Sequence, residues 1–296
     1  MITRLISANS SELLKMNGDE LKQSIKASEG RTVLSENVVI QPAIDGLTMS
    51  EIAAAFGADL ILLNLFDVFE PKVSGLEVKD AKDTVKRLKE LTGRPIGVNL
   101  EPVDPDAKVE SIKFELPKGR IATAESMRRA EELGFNFVCF TGNPGSGVTN
   151  KMIVQAVRTA KENFSGMIIA GKMHGAGVDE PVADEESVKA MIDAGADVIL
   201  VPAVGTVPGF TSDELIKIVK IVHQHDGLVM STIGTSQESS GKDVIREIAL
   251  KNNVDIQHIG DAAWGVLPPT ETIFELSKTI RGLNHTISRM ARSINR

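Results

Sequence analysis

Residues 166–177 read GMIIAGKMHGAG, an apolar run that ends in a lysine, followed by a histidine two residues later and then by glycines. Side chains two apart on a strand share a face. A buried strand over Met167–Gly171 therefore sends Lys172 and His174 out of its carboxyl end side by side, where a cation and a titratable imidazole can meet a ligand.

The same unit, a helix stopped by glycine and then a short apolar strand and a loop, recurs on both sides of this stretch. It is seen in FGADLILLNL (56–65), LTGRPIGVNL (91–100), LGFNFVCFTG (133–142), AGADVILVPA (194–203) and HDGLVMSTI (225–233), and without the glycine in NNVDIQHIG (252–260). Glycine ends a helix because it takes positive φ without a Cβ penalty. Strands that are apolar nearly throughout are those covered by helices on one face and a packed interior on the other. With Val38–Ile44 as the first strand, the total is eight, the number a (β/α)₈ TIM barrel needs. An open doubly wound sheet shares the alternation, but its glycine fingerprint is missing: DGLTMSE follows the first strand.

At 296 residues with 42% hydrophobic content, the chain fits one barrel domain, since barrels commonly run to roughly 250 residues. Residues 1–37 are expected to form an N-terminal helical cap that closes the bottom, residues 38–282 the barrel, and residues 283–296 a tail. The basic tail NHTISRMARSINR reads as a solvated terminal helix, with a homo-oligomer contact as the alternative. A net charge of -7, 4% aromatic residues and no Tyr exclude a nonspecific nucleic-acid binder, which needs a basic face and stacking platforms. The one cysteine, Cys139 in FNFVCF, reads as a small core residue in a reducing compartment. No segment reads as a secretory signal or a membrane span, so a cytoplasmic protein without membrane partners is expected.

Connections from helix to strand are tight, whereas those from strand to helix are long: DVFEPKVSGLEV (67–78), EPVDPDAKVESIKFELPKGRIAT (101–123), KMHGAGVDEPVADEE (172–186) and IGTSQESSGK (233–242). Long loops on one face build a site, and in barrels that face is the carboxyl end of the strands. Residues 103–122 are placed as a lid over it. The polar residues at strand ends are Gln41 and Asp45; Asn64 and Asp67; Asn99 and Glu101; Thr141 and Asn143; Lys172 and His174; Thr206; Ser231, Thr232, Thr235 and Ser236; and His258 and Asp261.

Two segments suit an anion. Gly234, Thr235 and Ser236 precede a helix, and Gly260 and Asp261 follow the eighth strand, where barrels commonly hold phosphate. TGNPGSGVTN (141–150) ranks second and is not a Walker loop. Lys172 is read as a charge that stabilises an enolate or phosphate, with a Schiff-base nucleophile or a salt bridge as alternatives. His174 and Glu101 are the candidates for moving protons. Asp45, Asp67, Glu101 and His174 could together hold Mg²⁺ or Mn²⁺, although no HExxH, CxxC or DxDxDG motif supports a metal, and no cofactor is required. The absence of a GxSxG elbow sets aside a serine hydrolase.

The whole-chain pattern is similar to phosphate-binding-type TIM barrels and to an uncharacterised bacterial barrel family labelled phosphonomutase-like. ADLILLNLFDVFEP (58–71), RPIGVNLEP (94–102) and ADVILVPAVGTVPGF (196–210) resemble segments of the BtpA-like barrel family. The resemblance implies a soluble barrel with a small-ligand or nucleosidase-like site. The acidic metal-binding and flexible-loop motifs of phosphonomutases and isocitrate lyases are not recognisable here, so their chemistry does not carry over. The expected function is a lyase or isomerase acting on a small anionic metabolite, phosphorylated or carboxylated. The alternatives are a noncatalytic metabolite sensor and a metal-dependent or nucleosidase-like hydrolase.

Overall fold

The computed structural model describes residues 2–42, 44–110, 114–234, 237–260 and 270–296. Eight parallel strands, β1 (Thr32–Val38), β2 (Leu60–Asn64), β3 (Ile96–Leu100), β4 (Phe137–Phe140), β5 (Met167–Gly171), β6 (Val198–Pro202), β7 (Leu228–Ile233) and β8 (Ile256–Ile259), close into a barrel in chain order. Helices α1 (Ser10–Leu13) and α2 (Gly18–Lys26) precede the barrel. Helices α3 (Met49–Ala55), α4 (Thr84–Thr92), α5 (Ala124–Leu133), α6 (Asn150–Asn163), α7 (Glu185–Ala194), α8 (Ser212–Gln224), α9 (Lys242–Lys251) and α10 (Thr270–Ala291) follow the successive strands. This is a (β/α)₈ TIM barrel.

The sequence sets both ends of each repeat. Thr48, Thr123, Thr149, Asp184 and Thr211 begin helices by accepting a backbone N–H of the first turn. Gly93, Gly134 and Gly195 end helices in the left-handed conformation, and before β7 it is Asp226 (φ 58°), not Gly227, that takes positive φ.

Strand residues sort by alternation into two cores. Val33, Ile61, Leu63, Val98, Val138, Ile168, Ala170, Ile199 and Val229 pack outward against the helices. Leu34, Leu60, Leu62, Phe137, Cys139, Met167, Ile169, Leu200, Met230 and Ile256 fill the interior, and Leu5, Leu13, Leu21 and Ile25 from the N-terminal segment belong to the same cluster. The N-terminal helices thus plug the lower end of the barrel. Gly18 in α2 lies so close to Gly166 and Met167 that a Cβ there would be 2.7 Å from the Gly166 carbonyl carbon.

Two expectations are corrected. The first strand is Thr32–Val38 and not Val38–Ile44, so it lies within the segment assigned to the N-terminal cap. Ile40 and Ile44 are 62% and 56% exposed in the loop beyond it. The true strand carries Ser35, Glu36 and Asn37, all buried, and polar residues inside a strand hide it from a search for apolar runs. The tail, in turn, is solvated only in part: Leu283, Asn284, His285, Ile287 and residues 293–296 are exposed, while Thr286 and Arg289 are buried. Helix α10 kinks at Gly282 (φ 76°, ψ 165°), and the segment beyond it returns under the barrel.

There Arg281 and Arg289 converge on Asp59, at the start of β2. Arg281 Nη1 lies 2.5 Å from Asp59 Oδ2, Arg289 Nε lies 2.8 Å from Oδ1, and all three side chains are essentially inaccessible. Asp59 Oδ2 also accepts the Val33 N–H (2.9 Å), while Arg289 donates to the carbonyls of Leu5 and Ala8. One carboxylate therefore ties β1, β2, the N-terminal segment and α10 together. Removing one partner of a buried ion pair strands the other's charge, at a cost of about 3–5 kcal/mol. Asp59→Asn is accordingly expected to lower the unfolding free energy by about that much in guanidinium titrations; an unchanged midpoint would contradict the role given to this carboxylate.

Candidate active site at the barrel mouth

The inward-facing positions are apolar in the lower layers and turn polar at the carboxyl ends. Continuing each strand's alternation, Glu36 follows Leu34, Asn64 follows Leu62, Asn99 and Glu101 follow Gly97, Thr141 follows Cys139, Thr232 follows Met230, and His258 follows Ile256. All seven are buried. Together they form a polar ring on top of the packed interior.

One arc of the ring is a cluster of amides. Asn64 Nδ2 donates to Asn143 Oδ1 (2.9 Å), while Asn64 Oδ1 accepts from Asn143 Nδ2 (3.1 Å) and Asn99 Nδ2 (3.2 Å). Glu101 closes the arc: its Oε2 accepts the Asn143 backbone N–H (2.9 Å) and its Oε1 pairs with Arg120 (2.6 Å). Four residues read from strand ends in the sequence, Asn64, Asn99, Glu101 and Asn143, are thus joined in one hydrogen-bonded unit. The opposite arc holds Glu36 and His258, with Glu36 Oε2 3.0 Å from His258 Nε2.

The described parts of the loop after β3, expected to form a lid, are tied to the loops after β4 and β5. They are stitched mostly by backbone: Glu101 and Arg120 exchange Glu101 N–H to Arg120 O (2.7 Å), Asp104 N–H reaches Gly147 O, Glu110 N–H reaches Gly177 O, and Phe114 N–H reaches Gly145 O. On its other side, Gly119 sits directly on Asp67, where an added Cβ would be 1.6 Å from the Asp67 Oδ1. From the β5 loop, Met173 packs against the interior cluster, close to Gly234 at the end of β7.

Lys172 and His174 leave β5 differently. Lys172 continues the outward set of Ile168 and Ala170, is fully buried, and pairs with Glu180, whose Oε1 also accepts the Asn150 N–H at the start of α6 (2.6 Å). Burial lowers the Lys172 pKa, partly opposed by Glu180. His174 accepts the Ala176 N–H on Nδ1 (3.0 Å). Burial, with the Lys172 ammonium nearby, pushes its pKa down to about 4. At neutral pH it is therefore an uncharged imidazole whose remaining proton is on Nε2, a hydrogen-bond donor with its basic nitrogen already engaged.

The remaining candidates are dispersed. Asp45 is exposed, and Asp67 Oδ1 accepts the N–H groups of Phe69 (2.8 Å) and Glu70 (3.2 Å). With Glu101 held by Arg120 and His174 by Ala176, the four residues considered for Mg²⁺ or Mn²⁺ do not form a ligand set. Among the described residues, no group of three or more His, Cys, Asp or Glu is placed to hold a metal ion. Thr235, Ser236 and Asp261 lie outside the described residues. Of the same two loops, Gly260 donates its N–H to Ile233 O (2.9 Å), and Gly234 is buried. In TGNPGSGVTN, Ser146 Oγ donates to Asn143 O (2.7 Å) and Gly147 N–H to Ala176 O (3.1 Å), so this loop is engaged with its neighbours.

Two participants escape the sequence reading. Glu36 sat in a segment assigned to the N-terminal cap, although the inward alternation Leu34, Glu36, Val38 was available to place it. Arg120 lies 19 residues beyond its partner Glu101, and nothing in the chain links the two.

The comparisons with known proteins follow this geometry. A family profile described as a domain of unknown function, DUF7916, matches residues 6–296. The chain belongs to that family. No curated protein sequence matches it. Among solved structures it is similar to a provisionally named fructose-1,6-biphosphate aldolase from Coccidioides immitis, at 13% identity and a TM-score of 0.53, covering 93% of this chain and 99% of that one. It is also similar to 2,3-dimethylmalate lyase, described as a PEP mutase/isocitrate lyase superfamily member, at 11% identity and a TM-score of 0.51, covering 86% and 82%. A provisionally named phosphonomutase from Burkholderia cenocepacia J2315 is a further neighbour, at 16% identity and a TM-score of 0.44, covering 81% and 91%. The (β/α)₈ barrel read from the sequence thus has counterparts among solved folds. Among the described residues no helix is long and apolar enough to cross a membrane.

The histidine yields a pH test. Its folded pKa is depressed relative to the ordinary value near 6.5, so the fold favours the neutral ring. The resulting stability is complete above about pH 6.5 and is lost as pH falls toward 4, a total of about 3 kcal/mol. The difference in unfolding free energy between the wild type and His174→Gln should shrink by about that amount over this window; a difference independent of pH would refute the buried neutral imidazole.

Proposed function

We propose that this chain is an enzyme acting on a small carboxylated or phosphorylated metabolite at the barrel mouth, of the lyase or isomerase kind. One observation carries this. An apolar barrel interior ends in a buried polar ring in which Asn99 Oδ1, Thr141 Oγ1, Thr232 Oγ1 and both His258 nitrogens have no aligned hydrogen-bond partner among the described residues. An unsatisfied buried polar atom costs about 1–3 kcal/mol. Groups kept at that cost at the functional end of a barrel are groups held ready for a ligand.

The ring supplies what such chemistry uses: carboxylates and an imidazole to carry protons, and amides and hydroxyls to meet developing charge on oxygen. In this scheme Glu101, fixed by Arg120 and Asn143, orients the amide arc, and Asn64 and Asn99 bind polar groups of the substrate. From β5, His174 offers its Nε2–H, while Lys172 acts from behind the strand as a buried charge paired with Glu180. The anionic handle is assigned to the loops after β7 and β8, at Gly234, Thr235, Ser236, Gly260 and Asp261, by the usual location of phosphate in barrels. The lyase and aldolase names among the structural neighbours agree with this, on fold alone.

A noncatalytic sensor is favoured by one feature, the engagement of both Lys172 and Glu101 in ion pairs. Binding and turnover separate the two. In a thermal-shift screen of phosphorylated sugars, keto acids and nucleosides, with and without Mg²⁺, a true ligand at a hundredfold excess over its Kd stabilises by about 2.7 kcal/mol, a shift of several degrees. Asn143→Ala should abolish that shift. The absence of a shift with any carboxylate or phosphate would overturn the proposal, and binding with no change in the ligand would leave the sensor.

A further inference from the structure

We propose that His258 is the proton-transfer residue of this site and that Glu36 is its positioning residue, an assignment that rests on the barrel mouth being an active site. Leu34 on β1 and Thr232 on β7 are both level with His258 on β8, and Glu36 lies one inward position above Leu34. Glu36 Oε2 is 3.0 Å from Nε2, and neither side chain is more than 3% exposed. The Glu36 carboxylate also faces into the interior closely enough to raise the Cys139 thiol pKa, behind burial as the larger cause.

Packing does not call for this pair. The interior around it is already filled by Leu34, Leu62, Cys139 and Met230, and a buried charged pair stabilises a core no better than apolar residues of the same volume. What the pair provides is an imidazole with a carboxylate beside it. With Nε2 3.0 Å from the Glu36 carboxylate, Nε2 is the nitrogen favoured to hold the proton, Nδ1 is left to the substrate, and Glu36 stabilises the imidazolium that forms when Nδ1 is protonated. The step is a proton abstraction next to a carbonyl. The substrate C–H bond breaks, its proton bonds to Nδ1, and the electron pair moves onto the carbonyl oxygen as an enolate. The Thr232 hydroxyl, level with His258 and without a partner among the described residues, donates to that oxygen. The proton on Nδ1 then returns to the neighbouring carbon in an isomerisation, or to the departing oxygen in an elimination.

The tautomer can be read without a substrate. In ¹⁵N-histidine-labelled wild type, with the His258 signal assigned by its loss in His258→Gln, long-range ¹H–¹⁵N spectra between about pH 6 and 9 should show a population with Nε2–H and a bare Nδ1. An Nδ1–H tautomer, or a ring doubly protonated throughout, would overturn the assignment. Activity is probed by deuterium wash-in from D₂O into 2-ketobutyrate and dihydroxyacetone phosphate. The wild type should exchange the carbon-bound protons, and His258→Gln should be slower by roughly 10²–10⁴-fold. Glu36→Gln should lower kcat with little effect on KM, and Glu36→Asp should restore part of it. If a probe raises the melting temperature but exchange is absent in the wild type or unchanged in His258→Gln, the pair is not the proton carrier while the pocket stands. If no probe shifts melting, the active-site assignment itself fails, and the pair with it.

Discussion

Closing an eight-stranded sheet on itself forces alternate residues of every strand into one shared interior, and that constraint governs the rest of this molecule. The space is fitted tightly enough that a Cβ added at Gly97 would lie 2.1 Å from the Phe137 ring. Once the lower positions are committed to packing, the parity of each strand decides which of its last residues face the mouth. Glu36, Asn64, Asn99, Glu101, Thr141, Thr232 and His258 are therefore placed by the same register that places Leu34, Leu62 and Cys139. A site built this way stands on strands whose side chains are locked by the core, and such sites are more precise than loop-borne ones.

The charges around the mouth are already paired. Arg120 answers Glu101 and Lys172 answers Glu180, while among the described residues Glu36 has the imidazole of His258 as its one ion-pair partner. The ring is thus rich in acceptors and hydroxyls and poor in free cations. It suits the neutral, hydrogen-bearing part of a ligand better than an anionic end.

Seven of the eight strands were legible because each follows a tight helix-to-strand turn and is apolar on both faces. That same feature makes parity illegible: with helices outside and packing inside, MIIAG gives no sign of which side is which. Lys172 accordingly reads as a mouth residue, although it continues the helix-facing set. Asn64, Asn99 and Glu101 were visible because they break apolar runs at their ends. Glu36 was not, since it interrupts its strand in the middle and pushes the apparent run six residues onward. The buried side of the tail was missed for a different reason. Arginines spaced along a terminal helix look solvated until their counterion is known, and Asp59 lies 222 residues before Arg281.

That separation has a bearing on biogenesis. At ribosomal rates of about 5–20 residues per second, Asp59 leaves the exit tunnel on the order of ten to forty seconds before Arg281, the first guanidinium bonded to it. Until then, sealing the underside of β2 would bury a lone carboxylate. The half-made chain is therefore biased toward an open sheet, and joining β1 to β8 becomes a late event, timed by the arrival of α10. For a fold dominated by long-range pairing, which is slow to form and prone to aggregate, this gives the nascent chain a reason to need shelter through most of its synthesis.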